Sequence, residues 1–385
     1  MRSLDGTAGS IRLAAVAVLL LGVAGSTTAA RLLAGGAPGP GKSELLGPPD
    51  AELLLKGELK RVSTSGLSAV NVVSTTLVKR LTGPDSPNRT VERWNVYGTD
   101  LGHSFVHGDR LYLVFGDTFG PNEGDWRSNV MAYVDGTTQN SLPFAGMITD
   151  ERGWAAELIP SRKVDGIEMT VIPTYGISLD GRMVLHFMSI RTWTKPGRWV
   201  TNYAGLAWSD DDGRTWQQVR GWRWPGTSNF VQVAFVEEGR FVYLFGIPTG
   251  RFGRVGLARV PRADILRLEA YRYWDGHRWS TNARDTVPII QQPVGELSVR
   301  WSEYHQRWLM MYLNAGRSAI LLRTAEELTG PWSEERIVTT GVDHPQLYAP
   351  FILPWEIDGP EVHFTMSLYD PYDVYLMRTT LERQG

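Results

Sequence analysis

The chain lacks cysteine and has only seven histidines among its 385 residues. Without thiols, neither disulfides nor thiolate metal sites can support the fold. The histidines are scattered, and no H-E-x-x-H or comparable spacing of metal ligands occurs. G-x-S-x-G elbows and phosphate-binding glycine loops are also missing. These absences argue against a metalloprotease, an α/β-hydrolase and a nucleotide-binding enzyme.

Strong charge and helical periodicity are scarce as well. The formal net charge is −2, which gives no electrostatic reason to expect nucleic acid or anionic lipid as a partner. Beyond residue 50, hardly any segment has a 3.6-residue apolar period; the exception is a short helical turn expected at 262–268. The chain is rich instead in Trp (15), Gly (41) and Pro (22), which suits many short strands joined by tight turns.

The first thirty residues have the layout of a secretory signal. Arg2 and Arg12 supply a basic start, an apolar run extends from Leu13 to about Gly25, and small residues follow up to Ala30. The uncharged stretch from Leu13 to Ala30 has 18 residues, near the lower limit of roughly 17 for a spanning helix, so an uncleaved membrane anchor is the alternative. Both alternatives predict a protein that is secreted or associated with the cell envelope.

Composition divides the chain into four regions. Residues 1–30 are the signal or anchor, and residues 31–50 are a linker whose segment GGAPGPGKSELLGPPD is dense in Gly and Pro. Residues 51–90 are expected to pack on the main domain, which spans residues 91–385. We expect a monomer, tethered to a membrane only if the N-terminal apolar segment is retained.

A unit of two apolar strands occurs five times. The pairs are RLYLVFGD with SNVMAYVD, RMVLHFMS with YAGLAWSD, RFVYLFGI with RVGLARVP, RWLMMYLN with SAILLRTA, and EVHFTMSL with DVYLMRTT. The equivalent positions Phe115, Phe187, Phe245, Tyr312 and Met366 are 72, 58, 67 and 54 residues apart. Repeated units of four strands are typical of propeller blades, and unequal gaps indicate loop insertions. The sequence therefore predicts an all-β fold, a five-bladed β-propeller with four antiparallel strands per blade.

Residues 209–216 (SDDDGRTW) fit the pattern S-x-D-x-G-x-T-W, the Asp box of sialidases and many other propellers. In this motif an Asp-Gly turn closes a hairpin and the Trp packs between blades. We expect Asp211 to accept hydrogen bonds from its own turn and Trp216 to be buried. Neither residue is a catalytic candidate.

Two aspartates of the first unit are the best candidates for chemistry. One face of a propeller collects the loops that lead into each first strand and those that leave each second strand. Asp100 (VYGTDLGHSF) lies in a loop of the first kind and Asp117 (YLVFGDTFG) in one of the second. Because neighbouring strands are about 4.8 Å apart, we expect a carboxyl separation of about 5–10 Å, as glycoside hydrolysis requires. Spacing alone leaves open that Asp117 caps a turn and that Asp100 is a solvated loop residue.

FGDTFG at 115–120, WRSNV at 126–130 and the upstream GTD resemble an envelope-associated actinobacterial family, formerly a domain of unknown function. Its studied members are endo-acting D-arabinofuranases with a five-bladed propeller, and the resemblance covers roughly residues 90–382. It implies hydrolysis of internal α-D-arabinofuranosidic bonds in arabinogalactan and lipoarabinomannan. It also implies that Asp100 and Asp117 are the catalytic pair.

Furanoside hydrolysis passes through an oxocarbenium-like state. One carboxylic acid protonates the leaving oxygen, while a carboxylate activates water or attacks the anomeric carbon. Two acids suffice, so we expect no cofactor and no metal. We assign the acid role to Asp117, because it follows an apolar strand and desolvation raises a carboxyl pKa. Asp100 is then base or nucleophile; the sequence leaves open the reverse assignment and whether the anomer is inverted or retained.

Further residues of the same face are candidates for substrate binding. Trp126 offers a flat apolar platform for a sugar ring, while Arg127 and Asn129 either hold hydroxyls or brace the loop. Glu296 either modulates a catalytic pKa, binds a hydroxyl, or is an ordinary buried and paired carboxylate. The complete set is His103, Phe119, Trp126, Arg127, Asn129, Glu296, Tyr348 and Asp370.

Three other functions compete with hydrolysis. A carbohydrate-binding propeller would keep the aromatic residues without needing both aspartates. A sialidase would need an arginine triad and a tyrosine nucleophile, which the sequence does not supply as a recognisable set. An interaction scaffold would be favoured if residues 51–90 filled the cleft.

Overall fold

The computed structural model describes residues 70–136, 141–355 and 357–383. The predicted signal or anchor at 1–30 and the linker at 31–50 lie outside these residues, and both stay predictions. None of the helices in the described ranges is long and apolar enough to cross a membrane.

The described strands form five antiparallel sheets. The chain starts with β1 (Val70–Arg80) and the short helix α1 (Thr90–Trp94). The first sheet contains β2 (Gly98–His107), β3 (Arg110–Phe119), β4 (Val130–Asp135) and β5 (Gly146–Met147). The second contains β6 (Thr170–Leu179), β7 (Arg182–Trp193), β8 (Trp199–Ser209), β9 (Gln217–Gln218) and β10 (Trp224–Pro225). The third contains β11 (Gln232–Glu238), β12 (Phe241–Ile247), β13 (Gly253–Pro261), β14 (Arg272–Trp274), β15 (Trp279–Ser280) and β16 (Ile290–Val294).

The fourth sheet contains β17 (Leu297–Ser302), β18 (Arg307–Asn314), β19 (Ala319–Ala325) and β20 (Arg336–Thr340). The fifth contains β21 (Leu347–Ile352), β22 (Glu361–Leu368), β23 (Asp373–Arg383) and β1. Short 3-10 turns lie at Pro121–Glu123, Arg262–Asp264, Leu268–Ala270, Ala283–Asp285 and Ala315–Arg317. The predicted helical turn at 262–268 is therefore present in part.

The prediction of a five-bladed β-propeller is confirmed, and each sheet is one blade. The five predicted pairs of second and third strands are β3 with β4, β7 with β8, β12 with β13, β18 with β19, and β22 with β23. These middle strands are covered by neighbouring blades on both faces, which is why they are continuous apolar runs rather than alternating ones. In β3, the five residues from Leu111 to Phe115 are all at most 2% exposed. Each large apolar side chain buried in this way contributes about 1.5–3 kcal/mol.

The ring closes by pairing the first described strand with the last. Strand β1 lies antiparallel to β23, with Val70 opposite Arg383 and Arg80 opposite Tyr375. The sheet order of the fifth blade is accordingly β1-β23-β22-β21. Residues 70–80, which the sequence analysis assigned to a segment packed on the main domain, thus form the outer strand of a blade.

Aromatic rings fill the central channel. His103 of β2 stacks on Tyr175 of β6, with ring centroids 5.5 Å apart and planes at 10°. Phe235 of β11 and Phe351 of β21 place their rings 6.3 Å and 6.1 Å from that of Tyr175. From β17, Arg300 donates to the carbonyl of Ser104 at 3.5 Å. All five inner strands therefore contribute to a packed centre.

The Asp box closes a turn, as predicted. Asp211 Oδ1 accepts from the Ser209 hydroxyl at 2.7 Å and from the Thr215 backbone N–H at 2.9 Å, and its Oδ2 accepts from the Thr215 hydroxyl at 2.7 Å. Trp216 is partly buried and packs against a core cluster that contains residues of the first and second blades. The motif has a structural role.

Candidate active site

An irregular pairing of β2 and β3 brings the two candidate aspartates together. Thr99 lies opposite Thr118 and Leu101 opposite Phe115, so Asp100 alone faces the two residues Gly116 and Asp117. This is a β-bulge, a feature enriched beside active sites. Because adjacent strands are about 4.8 Å apart, the two aspartates are neighbours at the same end of the first blade.

Gly116 provides the space for the Asp100 carboxylate. A Cβ atom at position 116 would lie 2.4 Å from Asp100 Oδ1 and 3.2 Å from a methyl group of Leu101. Any other residue would therefore push the carboxylate away. The glycine of FGDTFG thus serves Asp100 on the neighbouring strand, rather than the turn in which it lies.

The backbone after Asp100 is strained and is held by the fifth blade. Leu101 has φ 68°, a left-handed conformation that costs a non-glycine residue about 1–3 kcal/mol. The Leu101 N–H donates to the Ser367 hydroxyl at 2.9 Å, and the Thr365 hydroxyl donates to the Gly102 carbonyl at 2.9 Å. In each of these two hydrogen bonds one partner belongs to β22 and the other to the segment after Asp100. The last blade therefore fixes the position of Asp100.

Two tyrosines of the fifth blade hydrogen bond to Asp100. The Tyr348 hydroxyl donates to Asp100 Oδ2 at 2.9 Å, and Tyr372 supplies a second side-chain hydrogen bond. Burial raises the pKa of Asp100 to about 6, although these hydrogen bonds and the nearby charge of Arg251 lower it. Asp100 Oδ1 is buried and has no hydrogen-bond partner within the described residues.

Arg251 and Glu296 form an ion pair beside Tyr348. Arg251 Nε donates to Glu296 Oε1 at 2.7 Å, and the Arg251 guanidinium carbon lies 4.5 Å from the centroid of the Tyr348 ring. Glu296 is 8% exposed, and its Oε2 has no hydrogen-bond partner within the described residues. The sequence analysis allowed Glu296 to be a buried paired carboxylate, and the pair exists.

Asp117 is buried and receives both of its recorded hydrogen bonds on the same oxygen. Oδ1 accepts from Trp126 Nε1 at 2.8 Å and from the Thr170 hydroxyl at 2.5 Å. Burial raises the pKa of Asp117 to about 7; these two donors lower it, and the charge of Asp100 raises it further. Because both donors are on Oδ1, a proton on this carboxyl group would be on Oδ2. A neutral acid with a fixed carbonyl oxygen and a directed hydroxyl is the form that general acid catalysis requires.

Aromatic rings surround the pair. Phe119 stacks on Trp126 with centroids 6.3 Å apart, and lies 5.9 Å from the ring of Tyr372. Lys163 Nζ is 5.7 Å from the Trp126 ring and is paired with Glu157 at 2.5 Å. The aromatic rings help to bury the two acids, and burial is the largest cause of the raised pKa of each.

Two predicted binding residues brace the loop after Asp117 instead. Asn129 is 0% exposed, and its amide nitrogen donates to the carbonyls of Ile159 and Val171 at 2.8 Å each. Arg127 is 7% exposed and donates to the carbonyl of Asn95 at 2.8 Å. Both side chains are turned into the protein, so the bracing alternative describes them.

Two other predicted binding residues are not brought to the pair. His103 is 0% exposed in the filled channel, and burial lowers its pKa to about 3. Asp370 is exposed, and a cis peptide bond joins it to Pro371. Tyr372, two residues further on, reaches Asp100 instead. Of the predicted set, Phe119, Trp126, Glu296 and Tyr348 lie at the aspartate pair or beside its direct contacts.

The sequence analysis missed Thr170, Arg251 and Tyr372. Arg251 lies in the loop that leaves the second strand of its blade, which is the kind of loop that contains Asp117, so its position was a usable signal. Thr170 and Tyr372 reach the aspartates from neighbouring blades. No motif in the sequence marks such contacts.

A family described as a domain of unknown function (DUF4185) matches residues 85–378, and the chain belongs to this family. Notoamide biosynthesis cluster protein J of Aspergillus sp. (strain MF297-2) is 33% identical over 332 residues, covering 79% of this chain and 87% of the fungal protein.

Two solved structures of low identity are similar to this chain. A crystal structure of a Bacteroides ovatus ATCC 8483 protein has 13% identity and a TM-score of 0.54, covering 75% of this chain and 87% of that one. The catalytic domain of a Coprinopsis cinerea GH62 α-L-arabinofuranosidase has 11% identity, covers 80% of this chain and 97% of that one, and has a TM-score of 0.46. The first likeness supports the propeller fold, and the second is too distant to carry an argument.

Proposed function

We propose that this protein is a glycoside hydrolase that cleaves internal α-D-arabinofuranosidic bonds of cell-envelope D-arabinan. The observation that carries the proposal is the bulge that sets Asp100 opposite Gly116 and Asp117, at one end of the propeller. Two carboxyl groups on either side of one bond are the minimal equipment for hydrolysing a glycoside.

In this proposal Asp117 is the general acid and Asp100 the base or nucleophile. Asp117 has the higher pKa, about 7, and accepts hydrogen bonds only on Oδ1 in the recorded contacts, so Oδ2 holds the proton for the leaving oxygen. Asp100 has a pKa of about 6 and accepts hydrogen bonds from two tyrosines, which favour its charged form. Since the two groups interact, they titrate as a pair, and Asp100 loses its proton first.

The substrate in the proposal comes from the resemblance of FGDTFG and WRSNV to the D-arabinofuranase family. A polysaccharide of the cell envelope also suits the secretory signal or anchor predicted at residues 1–30. Stacking of a furanose ring on Trp126 would place the sugar beside Asp117, because the indole N–H of Trp126 already donates to that carboxylate.

The test is incubation of the purified full-length protein with D-arabinan and, separately, with L-arabinan, followed by analysis of the fragments. We expect oligosaccharides from D-arabinan alone. Fragments from L-arabinan alone would overturn the substrate, and no fragments from either would overturn the hydrolase. Binding of D-arabinan without fragments would point to the carbohydrate-binding propeller considered above.

A further inference from the structure

We infer that the candidate active site continues as a carbohydrate-binding surface across the second and third blades. This surface binds sugar units beyond the bond that is cleaved. The inference rests on the proposed function, since it names where the polysaccharide that is bound at the aspartates continues. The surface, called here the rim surface, consists of Trp193, Arg198, Trp199 and Phe252.

The rim surface lies at the same end of the propeller as the aspartates. Trp193 ends β7 and Trp199 begins β8, so both flank the turn at 194–198. Phe252 lies in the loop between β12 and β13. In each blade the end of the second strand and the start of the third lie at the end where the first strand begins, which in the first blade carries Asp100 and Asp117.

Arg251 links the rim surface to the aspartates. Its guanidinium carbon lies 5.9 Å from the Trp199 ring and 4.5 Å from the Tyr348 ring. The Tyr348 hydroxyl in turn donates to Asp100. A sugar chain that leaves Asp100 toward the third blade therefore meets Arg251 first and the rim surface next.

The rim surface exposes two large rings on a rigid base. Trp193 is 40% exposed and Phe252 is 37% exposed, whereas Trp199 is 7% exposed. Trp199 supports Trp193 edge to face, with centroids 5.4 Å apart. Exposed rings held in this way present flat apolar faces at little cost in conformational entropy. The C–H faces of sugar rings are their natural partners.

The turn and the loop are built to place Phe252. The Arg251 N–H donates to the Gly197 carbonyl at 2.9 Å, which joins the two blades. Gly197 has φ 68°, and a Cβ there would lie 3.2 Å from the Phe252 ring, so glycine permits both the turn and the contact. The Arg198 guanidinium carbon lies 4.5 Å from the centroid of Phe252 and adds donors for hydroxyl groups beside the ring.

Rings on both sides of the aspartates fit cleavage within a chain. Phe119 and Trp126 belong to the first blade and Tyr372 to the fifth, while the rim surface belongs to the second and third. Asp100 is hydrogen-bonded to Tyr372 and lies near Arg251. A polysaccharide that crosses the pair thus has aromatic contacts in both directions.

A purely structural role for Trp193 is the competing explanation, because Trp193 and Trp199 are a cross-strand pair. Phe252 is in a loop and belongs to no strand pair. We therefore test Trp193→Ala, Phe252→Ala and the double variant. The matched control is Tyr304→Ala, which removes a 44%-exposed ring from the turn between β17 and β18, at the opposite end of the propeller.

The first measurement compares kcat/KM for polymeric D-arabinan with kcat/KM for the shortest oligosaccharide that the wild-type protein cleaves. We expect each single variant to lose roughly five- to tenfold on the polymer, to stay within about twofold on the short substrate, and to keep its thermal midpoint. Tyr304→Ala should match the wild type on both. Equal losses on both substrates, or none, would overturn the inference.

The second measurement separates this inference from the proposed function. The Asp100→Asn, Asp117→Asn double variant, with and without Phe252→Ala, is run in gels containing D-arabinan or other soluble polysaccharides. Retardation that Phe252→Ala weakens supports the rim surface even if the wild type cleaves nothing. Retardation that Phe252→Ala leaves unchanged, or no retardation in any gel, overturns the rim surface alone, whereas the fragment analysis alone decides the proposed function.

Discussion

Asp117 in the first blade and Asp211 in the second lie beside glycine-containing turns and have opposite environments. Asp211 is only partly buried, and the donors of Thr215, Ser209 and Arg214 hold its pKa below the usual value although burial raises it. Asp117 is 8% exposed, has two donors on one oxygen, and has its pKa raised to about 7 by burial. The comparison teaches that donors within its own turn keep the pKa of Asp211 low, whereas burial with only two donors raises the pKa of Asp117.

The largest effect should come from removing the two carboxyl groups. We expect Asp117→Asn to lower kcat on D-arabinan by about 10²–10⁴-fold, because the general acid is lost, and Asp100→Asn to do the same. Asp211→Ala should stay within about twofold of the wild type. Hydrolysis rates of the three purified variants on D-arabinan check this. Near-normal activity of both active-site variants, or a large loss in Asp211→Ala, would break the comparison.

A smaller loss is expected from Gly116→Ala. The added methyl group would lie 2.4 Å from Asp100 Oδ1, so the carboxylate must move by about 1 Å. A misplacement of that size costs about 10²-fold in rate. The matched control is Gly359→Ala, because a Cβ atom at Gly359 would have no other atom within 4 Å and its φ is not in the left-handed region. Kinetics on D-arabinan should show the loss in Gly116→Ala only; equal rates for the two variants would contradict the role given to Gly116.

The pH profile should change in Tyr348→Phe. The proposed mechanism requires Asp100 ionised and Asp117 protonated, so kcat/KM should be bell-shaped with limbs near 6 and 7. The Tyr348 hydroxyl stabilises the charged form of Asp100, so its removal should raise the acid limb by up to about one pH unit. Activity at pH 5 then falls by up to about tenfold, while the basic limb moves little. An acid limb that stays or moves down would count against the assignment.

The smallest effect is on stability and differs in sign between the two aspartates. The folded-state pKa of Asp117 is raised from 3.8 to about 7, so its contribution to stability is present below pH 4 and lost as the pH rises to 7. The asparagine cannot ionise, so Asp117→Asn should have a thermal midpoint above that of the wild type at pH 8, on the order of a few degrees. At pH 4 the two midpoints should be the same. Asp211→Ala should cost about 1–2 kcal/mol at both pH values, through lost hydrogen bonds. Thermal melts at the two pH values check this, and a lower midpoint for Asp117→Asn at pH 8 would contradict it.

Much of the fold was predictable because blades bury their middle strands on both faces. That burial makes each second strand and each third strand a visible apolar run, and all ten runs are strands in the structure. Strand β1 gave no comparable signal. Its partner β23 begins about 300 residues later, and ten of the eleven residues of β1 are exposed or partly exposed, Val73 and Leu77 among them.

The candidate site was predictable only within one blade. Asp100 and Asp117 follow from the loop geometry of a single hairpin, whereas Thr170 and Tyr372 contact them from other blades. Proximity in sequence also misled the interpretation of Arg127 and Asn129. Their nearness to Asp117 suggested binding, but the side chains point into the protein, where buried carbonyl groups need donors.

The pairing of β1 with β23 places the seam of the ring in the fifth blade, which neighbours the blade that contains the aspartates. Asp100 is in the first blade, while Tyr348, Tyr372, Thr365 and Ser367 are in the blade that contains the seam. A polypeptide that has made four blades already contains both acids but none of these supports. Asp100 therefore acquires its supports only with circular closure of the ring, and opening the seam would take them from Asp100 while leaving Trp126 and Thr170 on Asp117.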